Sequence, residues 1–438
     1  MNQKIMEMVD RSKAPVIEGI KNIKYGIPEK YTLDNGIDLY TLVSDSSEVI
    51  KMDIIFKAGT EFQSEKLSAV FANSLIKESP VGMQADEVAE VFDYYGSYTE
   101  SFVNIDNAGI RLFVTNNFIN DILSVFSSLI KNPDLPVKEF EILKNKYLQT
   151  LKNNLEKTRY LAMTGLNTEL FGTDNPRGDI VRPEDILNVN LNDIRKFVDS
   201  YYKANNCYII LSGMINESTI NQINKYFGEN NMHEKWNDNG LIKKPTFMIS
   251  ESSENFKLIE TKNPVQSTIC IGKNFGGLND KELVDIGIVS TLLGGYFGSR
   301  LMKNVREDKG YTYGINSFIV EYPGSVCLKI ISDVGVSVTK SAIDEIFYEI
   351  NELRNKLVSP AELKIMKNYM LGELMSAFDG VFSLSEVWQK LISSGKDSSF
   401  IDLQIERIKN ITPHDIKYYA GKFLGNDGFH TIVGGGMG

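Results

Sequence analysis

The sequence predicts an α+β protein made of two similar domains, each with a mostly antiparallel or mixed sheet covered by helices. Three observations lead to this fold class: a chain of 438 residues, an internal repeat, and strands and helices that follow one another without regular β–α–β alternation. Two domains of about 200 residues each lie in the usual size range. Hairpins and grouped helices favour an antiparallel or mixed sheet over a fully parallel one.

The repeat consists of similar segments about 222 residues apart. Residues 136–151 (PVKEFEILKNKYLQTL) resemble residues 359–374 (SPAELKIMKNYMLGEL), and both contain a Lys-Asn pair at the same place. Asp193, which is followed by Ile and a basic residue, corresponds in the same way to Asp415. An offset that stays nearly constant over several elements is typical of a duplicated domain rather than of unrelated helices.

Within the first half, turn signals and hydrophobic periodicity predict each element in order. Asp34-Asn35-Gly36 separates the two strands of one hairpin, and Asp106-Asn107 separates those of another. The other elements predicted are a strand over 50–56, helices over 68–77, 85–95 and 137–158, and a strand over 201–212.

The second half shows the same mixture of elements. Residues 281–293 predict an amphipathic helix that is interrupted at Gly294-Gly295, and residues 299–309 predict a shorter one. A strand follows, and Pro323-Gly324 turns it back as a hairpin. The glycines at 434–438 are followed by no helix, so we expect a frayed tail there rather than a phosphate-binding loop.

We place the first domain at 1–228 and the second at 247–438. The segment between them, 229–246, is polar and rich in Asn, which is typical of an exposed linker. The repeat therefore divides the chain into two halves of similar length.

Composition and charge exclude several classes of protein. The formal net charge of −10 is spread over mixed Lys and Glu, which argues against nucleic-acid binding. No apolar run approaches the ~18 residues that a membrane-spanning helix needs, and the charged N-terminus has no secretory signal. The three cysteines are too sparse for a disulfide framework. We expect a cytoplasmic protein, although a leader already removed from the sequence would leave the same pattern.

Residues 298–314 (GSRLMKNVREDKGYTYG) are the most informative segment of the chain. They join a short amphipathic helix to a strand and bring Arg306 and Tyr313 to the junction. The three histidines, in contrast, have no ligand spacing. The chain thus contains a candidate active-site pair but lacks an obvious metal site.

This segment resembles the Arg/Tyr motif of the pitrilysin/insulinase-type zinc metallopeptidases, in their short two-subunit form related to mitochondrial processing peptidase. The family pattern is S-R-L followed by R-E-x-x-G-x-x-Y, which matches Ser299–Leu301 and Arg306–Tyr313 here. The resemblance covers nearly the whole chain. It implies two similar α+β domains within one chain, in agreement with the repeat.

The same family carries an inverted zinc motif, H-x-x-E-H, on the first domain's early helix. In register, its two metal histidines fall at Val70 and Ser74, its catalytic glutamate at Asn73, and its distal glutamate ligand at about Thr150. Zinc needs imidazole, thiolate or carboxylate ligands, and an amide cannot act as a general base. We therefore expect that this chain binds no catalytic zinc and is inactive alone, so whether it is an enzyme depends on a partner.

The resemblance implies a heterodimeric zinc endopeptidase that degrades or processes peptides. A homologous subunit with the H-x-x-E-H motif would hold the zinc, while this chain would supply Arg306 and Tyr313 in trans to bind the substrate backbone and the oxyanion. The substrate would be a peptide or unfolded segment added as a strand to a sheet edge. A homodimer in isolation is compatible with this scheme, and neither a membrane nor a nucleic acid is expected as partner.

Several alternatives stay open at the level of sequence. Arg306 could pair with Glu307 or Asp308, and Tyr311 could take the place of Tyr313 if the register is shifted by two. Arg300 is interpreted as a structural residue. The whole chain could also be a scaffold member of the same family, or a peptide-binding protein that acts without a peptidase partner.

Overall fold

The computed structural model describes residues 20, 22–229, 235–237, 247–249 and 254–438, which form two sheets covered by helices. The strands are β1 (Glu29–Thr32), β2 (Asp38–Val43), β3 (Val49–Phe56), β4 (Tyr98–Val103), β5 (Ala108–Thr115), β6 (Cys207–Gly213), β7 (Phe256–Glu260), β8 (Gln266–Asn274), β9 (Thr312–Tyr322), β10 (Ser325–Gly335) and β11 (Phe429–Gly435). The α-helices are α1 (Ser68–Leu75), α2 (Ala85–Tyr94), α3 (Ile119–Lys131), α4 (Val137–Leu155), α5 (Thr158–Phe171), α6 (Pro183–Asn188), α7 (Leu191–Tyr201), α8 (Glu217–Ile223), α9 (Asp280–Ser290), α10 (Thr339–Asn355), α11 (Pro360–Ala377), α12 (Val381–Ser393), α13 (Ser398–Asn410) and α14 (Pro413–Phe423).

The two sheets have the same topology. The first has the order β1-β2-β6-β3-β5-β4 and the second the order β7-β11-β8-β10-β9. If β1 is set aside, each strand of the first sheet has a counterpart in the second at the same place. In both sheets the first strand of this common set pairs in parallel with the last strand of its half, and the other described pairs are antiparallel. The predicted α+β class with two similar domains is confirmed.

Each half also lends one helix to the other half's sheet. Helix α5 of the first half lies against β8 and β11 of the second sheet, where Ala162 and Leu166 are buried together with Cys270 and Ile432. Helix α12 of the second half lies against β2 and β6 of the first sheet. Strands of both sheets are therefore covered on both faces, which explains why β3 is buried along nearly its whole length.

The predicted elements exist, but some of their boundaries differ. The long helix predicted over 137–158 ends at Leu155, and a new helix begins at Thr158. The strand predicted from residue 201 begins at Cys207, because Tyr201 still belongs to α7. Both hairpins of the first half turn at the predicted residues.

The predicted frayed tail is wrong for Gly434 and Gly435, which belong to β11 and are buried. The start of α5 crosses this strand so closely that a Cβ atom on Gly434 would lie 2.3 Å from the carbonyl oxygen of Thr158. Glycine is required there by close packing between the halves, which sequence composition alone does not reveal.

Most of the predicted linker, 229–246, lies outside the described residues. Within it, Trp236 is buried in the first core, and its indole N–H donates to the carbonyl oxygen of Phe227 over 3.2 Å. In the described part of the chain, none of the helices has the length and apolar character needed to cross a membrane.

Candidate functional site

The Arg/Tyr segment is built from two π-helical turns that flank a loop. Helix α9 continues as a π-helical turn at Thr291–Gly295, and a second one follows at Met302–Asp308. A Cβ atom on Gly294 would lie 2.8 Å from the Cβ atom of Ser317 on β9, so the first turn packs closely against the strand. π-Helical turns are rare in proteins, and those that occur are often found at functional sites.

Arg306 lies on the second π-helical turn and is half-buried. The central carbon of its guanidinium group is 4.6 Å from the centroid of the Phe297 ring, which is a cation–π distance. Within the described residues no carboxylate forms an ion pair with Arg306. The alternative in which Arg306 pairs with Glu307 or Asp308 is therefore not what this structure shows.

Tyr313, at the start of β9, is 92% exposed. Tyr311 is partly buried against the second core, and its amide donates to the carbonyl oxygen of Val305. Of the two tyrosines, Tyr313 is the one that presents its whole side chain to solvent. It lines an open depression of about 630 Å³ together with Phe297, which also stacks on Arg306. Phe297 thus contacts Arg306 and lines the same depression as Tyr313.

Arg300 has the structural role that the sequence analysis assigns to it. Its guanidinium group forms a bidentate ion pair with Glu362 on α11, with N–O distances of 2.7 and 3.1 Å. Bidentate pairs of this kind fix orientation as well as position. The ion pair between Arg300 and Glu362 thus holds the residues just before the second π-helical turn against α11.

The residues at the degenerate zinc motif are occupied with structural hydrogen bonds. Asn73 is 1% exposed, and its Nδ2 donates to the carbonyl oxygens of Phe102 on β4 (2.9 Å) and Gly109 on β5 (3.2 Å). Its Oδ1 accepts from the hydroxyl group of Tyr202 over 2.9 Å. Burial raises the pKa of Tyr202, so its hydroxyl group stays protonated and able to donate.

The other motif positions also lack metal-binding groups. Ser74 donates its hydroxyl hydrogen to the carbonyl oxygen of Val70 within α1, over 2.9 Å. Thr150 donates to the carbonyl oxygen of Lys146 within α4, over 2.9 Å, and is exposed. These side chains do not fit a zinc ion, because none supplies an imidazole, a thiolate or a carboxylate. Across the described ranges, no group of three or more His, Cys, Asp or Glu side chains could hold a metal ion.

An acidic cavity next to the loop was not predicted from the sequence. It has a volume of about 1140 Å³ and lies between the second π-helical turn and α10. Asn304 donates to Glu345 (3.0 Å) and to Glu349 (2.8 Å) on α10. Burial raises the pKa of Glu349, whereas the hydrogen bond from Lys309 lowers the pKa of Glu345. Phe297 was missed as well, and its only signal in the sequence was an aromatic residue in a glycine-rich turn.

Comparisons with known proteins show what the chain is similar to. The family described as "Peptidase M16 inactive domain" matches residues 188–370. The "Uncharacterized zinc protease YmxG" of Bacillus subtilis is 23% identical over 372 residues, which is 84% of this chain and 87% of the relative. The "Non-peptidase homolog YmxG" of Helicobacter pylori is 23% identical over 223 residues, or 49% of each chain.

A solved structure shows the same fold. The crystal structure of a protease from Helicobacter pylori superposes with a TM-score of 0.84 at 16% identity and covers 94% of this chain and 99% of that chain. The names of the two relatives disagree on activity, so activity has to be argued from the site. The recognition made from the sequence is confirmed: the chain is M16-like, a relative of the pitrilysin/insulinase-type peptidases in which the zinc-motif positions carry no metal-binding side chain.

Proposed function

We propose that this chain is the non-zinc-binding subunit of a heterodimeric zinc endopeptidase and that it supplies Arg306 and Tyr313 to the partner's active site. The observation that carries the proposal is the presentation of these two donors. Tyr313 is almost fully exposed, and Arg306 lies against the exposed ring of Phe297 and forms no ion pair with the residues that the structure describes. A tyrosine and an arginine that only supported the fold would be expected to contact protein partners instead.

The roles of the two side chains follow from their chemistry. The guanidinium group of Arg306 is a rigid, permanently charged fork of donors, suited to a carbonyl oxygen that gains negative charge. The hydroxyl group of Tyr313 supplies one neutral donor to the substrate backbone. In such a complex the zinc would belong to a partner with an H-x-x-E-H motif, and it would supply the activated water. This chain itself would bind and orient the peptide.

The sheet edges suit a peptide substrate. Strands β4 and β9 end the two sheets, and β9 begins at the residue before Tyr313. An extended peptide can add to such an edge through backbone hydrogen bonds alone, which recognises peptides with little dependence on sequence. We also propose a cytoplasmic location for the pair.

The proposal predicts that neither subunit cleaves peptides alone and that the mixed complex does. The test is co-purification of the native complex, identification of a chain with an H-x-x-E-H motif, and a peptidase assay on the separate and recombined subunits. Arg306→Ala and Tyr313→Phe are each expected to lower the turnover of the complex by about 10²–10³-fold, because each removes an oxyanion-type donor. Both variants should still bind the partner in a pull-down.

Tyr311→Phe is the matched control. It removes the same hydroxyl group from a tyrosine that lies two residues before Tyr313 and whose ring is partly buried. Its turnover should stay within about twofold of the wild-type value. Unchanged turnover in both Arg306→Ala and Tyr313→Phe would contradict the assignment of the pair. Cleavage by this chain alone, sensitive to metal chelators, would contradict the whole proposal.

A non-catalytic role is the second candidate, because one relative is described as a non-peptidase homolog. In that case the chain would be a scaffold in a larger assembly or a peptide-binding protein without a peptidase partner. Co-purification separates these cases: a peptidase partner with the zinc motif supports catalysis, a large assembly without one supports scaffolding, and peptide binding by the lone chain supports the third.

A further inference from the structure

A groove runs beside the edge strand of the second sheet. It has a volume of about 450 Å³ and lies between β9, α9, α11 and α13. Its apolar lining consists mainly of Leu283, Ile319, Met370, Phe400 and Ile408. Among the described residues that line it, Glu321 is the one ionisable group, and this carboxylate is paired with Lys396 over 2.5 Å. The groove therefore favours an apolar side chain over a charged one.

The strand beside the groove has an unpaired edge. The amide of Val326 on β10 donates to Gly276 and its carbonyl oxygen accepts from Phe275, so Val326 faces β8. The N–H and C=O groups of successive residues point to opposite sides of a strand. Those of Cys327 therefore point toward β9, where Cys327 pairs with Val320. The backbone groups of the neighbours Ile319 and Glu321 then point away from the sheet. Within the described residues, no backbone group outside the sheet is hydrogen-bonded to them.

The groove is continuous with the depression that contains Tyr313. Gly295 and Asn316 line both. Ile319 lies six positions after Tyr313 in β9, but a β-bulge adds one residue to β9 between Thr312 and Ile315. The stretch therefore spans about five paired positions, or about 17 Å at ~3.3 Å per position. A chain paired with β9 would place one of its residues opposite Tyr313 and another, about five positions away, beside the groove.

We propose that β9 binds an extended peptide by strand addition and that the groove receives one large apolar side chain of that peptide, about five residues from the residue opposite Tyr313. The unpaired edge of β9 favours an extended peptide backbone as the occupant. The apolar lining of the groove favours an uncharged, apolar side chain of that peptide. The distance between the apolar residue and the cleaved bond rests on the proposed function. The binding of the peptide to β9 and the groove does not. The groove thus selects peptide substrates that carry a large hydrophobic residue at a distance from the cleaved bond.

Binding to this chain alone provides the first test. The probes are two fluorescein-labelled 14-residue peptides of Ser, Thr and Gln that differ in one central position, Leu or Ser, and the readout is fluorescence anisotropy. The Leu peptide should bind at least about tenfold more tightly, because burying a leucine side chain is favourable by more than this factor. Equal binding of the two peptides would overturn the proposal.

Gly287→Trp is expected to fill the groove and leave the sheet intact. Gly287 lines the groove on α9, and a Cβ atom there meets nothing within 4 Å. The variant should lose the preference for Leu to within about twofold. Gly421→Trp is the matched control, since Gly421 is another helical glycine with open space around it, outside the groove. A Leu preference that survives in Gly287→Trp would overturn the proposal.

Cross-linking gives a measurement that needs no variant. A peptide with benzoylphenylalanine in place of Leu should cross-link to Met370 or Ile408, identified by mass spectrometry. Cross-links confined to other surfaces would contradict the proposal. Gly287→Trp converting a dimer of this chain to a monomer would mean that a second copy, not a peptide, occupies the groove.

The recombined peptidase pair separates this inference from the proposed function. Moving the Leu by two residues along the peptide should move the cleavage site by two residues. Cleavage that ignores the Leu, with normal turnover by Gly287→Trp, would overturn the groove and leave the proposed function intact. Leu-dependent binding without cleavage by any complex would overturn the proposed function and leave the groove as a peptide-binding site.

Discussion

Asn73 is the residue at which the sequence register predicts the family's catalytic glutamate, and its amide joins α1 to the hairpin of β4 and β5. Both donors of the amide are used by carbonyl oxygens, and its oxygen is used by Tyr202. A carboxylate cannot donate to carbonyl oxygens. The amide at this position is therefore suited to stabilising the fold rather than to proton transfer.

Asn73→Asp tests this role. The variant has nearly the same shape, but its carboxylate would face the carbonyl oxygens of Phe102 and Gly109 in a buried place. We expect a loss of about 2–4 kcal/mol in the free energy of unfolding, measured with urea. Ser74→Ala is the control, because the Ser74 hydroxyl only returns to its own helix; its effect should stay within about 0.5 kcal/mol. Similar losses in the two variants would contradict the structural role of Asn73.

At the level of elements, α10 and the second π-helical turn meet through one asparagine and two glutamates. Asn304 donates to both Glu345 and Glu349, but the pKa values of the two carboxyl groups move in opposite directions. Burial raises that of Glu349, and the hydrogen bond from Lys309 lowers that of Glu345. Ionisation therefore destabilises the fold at Glu349 and stabilises it at Glu345.

This pair predicts opposite effects of two matched variants on thermal stability. A raised folded-state pKa gives stability at low pH that is lost as pH rises through that pKa. Glu349→Gln keeps an acceptor for Asn304 and cannot ionise, so its Tm should exceed the wild-type value at pH 7.5 and approach it at pH 4.5. Glu345→Gln loses the partner of Lys309 and should have a lower Tm at pH 7.5, with a smaller difference at pH 4.5. Equal shifts of the same sign would contradict this account.

At the level of the whole molecule, the sequence predicted the local features and missed the exchange of helices between the halves. Asp34-Asn35-Gly36 marks its hairpin because a tight turn needs those residue types wherever it occurs. The contact of α5 with β11 depends on residues far apart in sequence, so Gly434 looked like part of a loose tail. The stacking of Phe297 on Arg306 also depends on the path of a loop, which no periodicity describes.

The two halves are also joined by charges. Lys51 on β3 is almost fully buried, and its ammonium group lies 3.2 Å from Asp53 and 2.7 Å from Glu386 on α12. Arg111 on β5 contacts the same glutamate at 2.6 Å. A buried charge needs compensation. Within the described residues, Glu386 is the carboxylate through which α12 of the second half pairs with Lys51 and Arg111 of the first half.

Glu386→Gln should therefore weaken the union of the two halves. Lys51 and Arg111 would keep only first-half carboxylates as charged partners, and we expect a loss of about 1–2 kcal/mol at pH 7, because Glu386 is partly exposed and screened. The pKa of Glu386 is lowered by Lys51 and Arg111 against the effect of burial, so its contribution is present at neutral pH and lost as pH falls through that lowered pKa. Glu282→Gln is the control, because its pair with Lys422 lies within the second half, and it should cost less than about 0.5 kcal/mol. A Glu386→Gln loss no larger than the control's, in urea unfolding at pH 7, would show that the ion pairs of Glu386 do not help to join the halves.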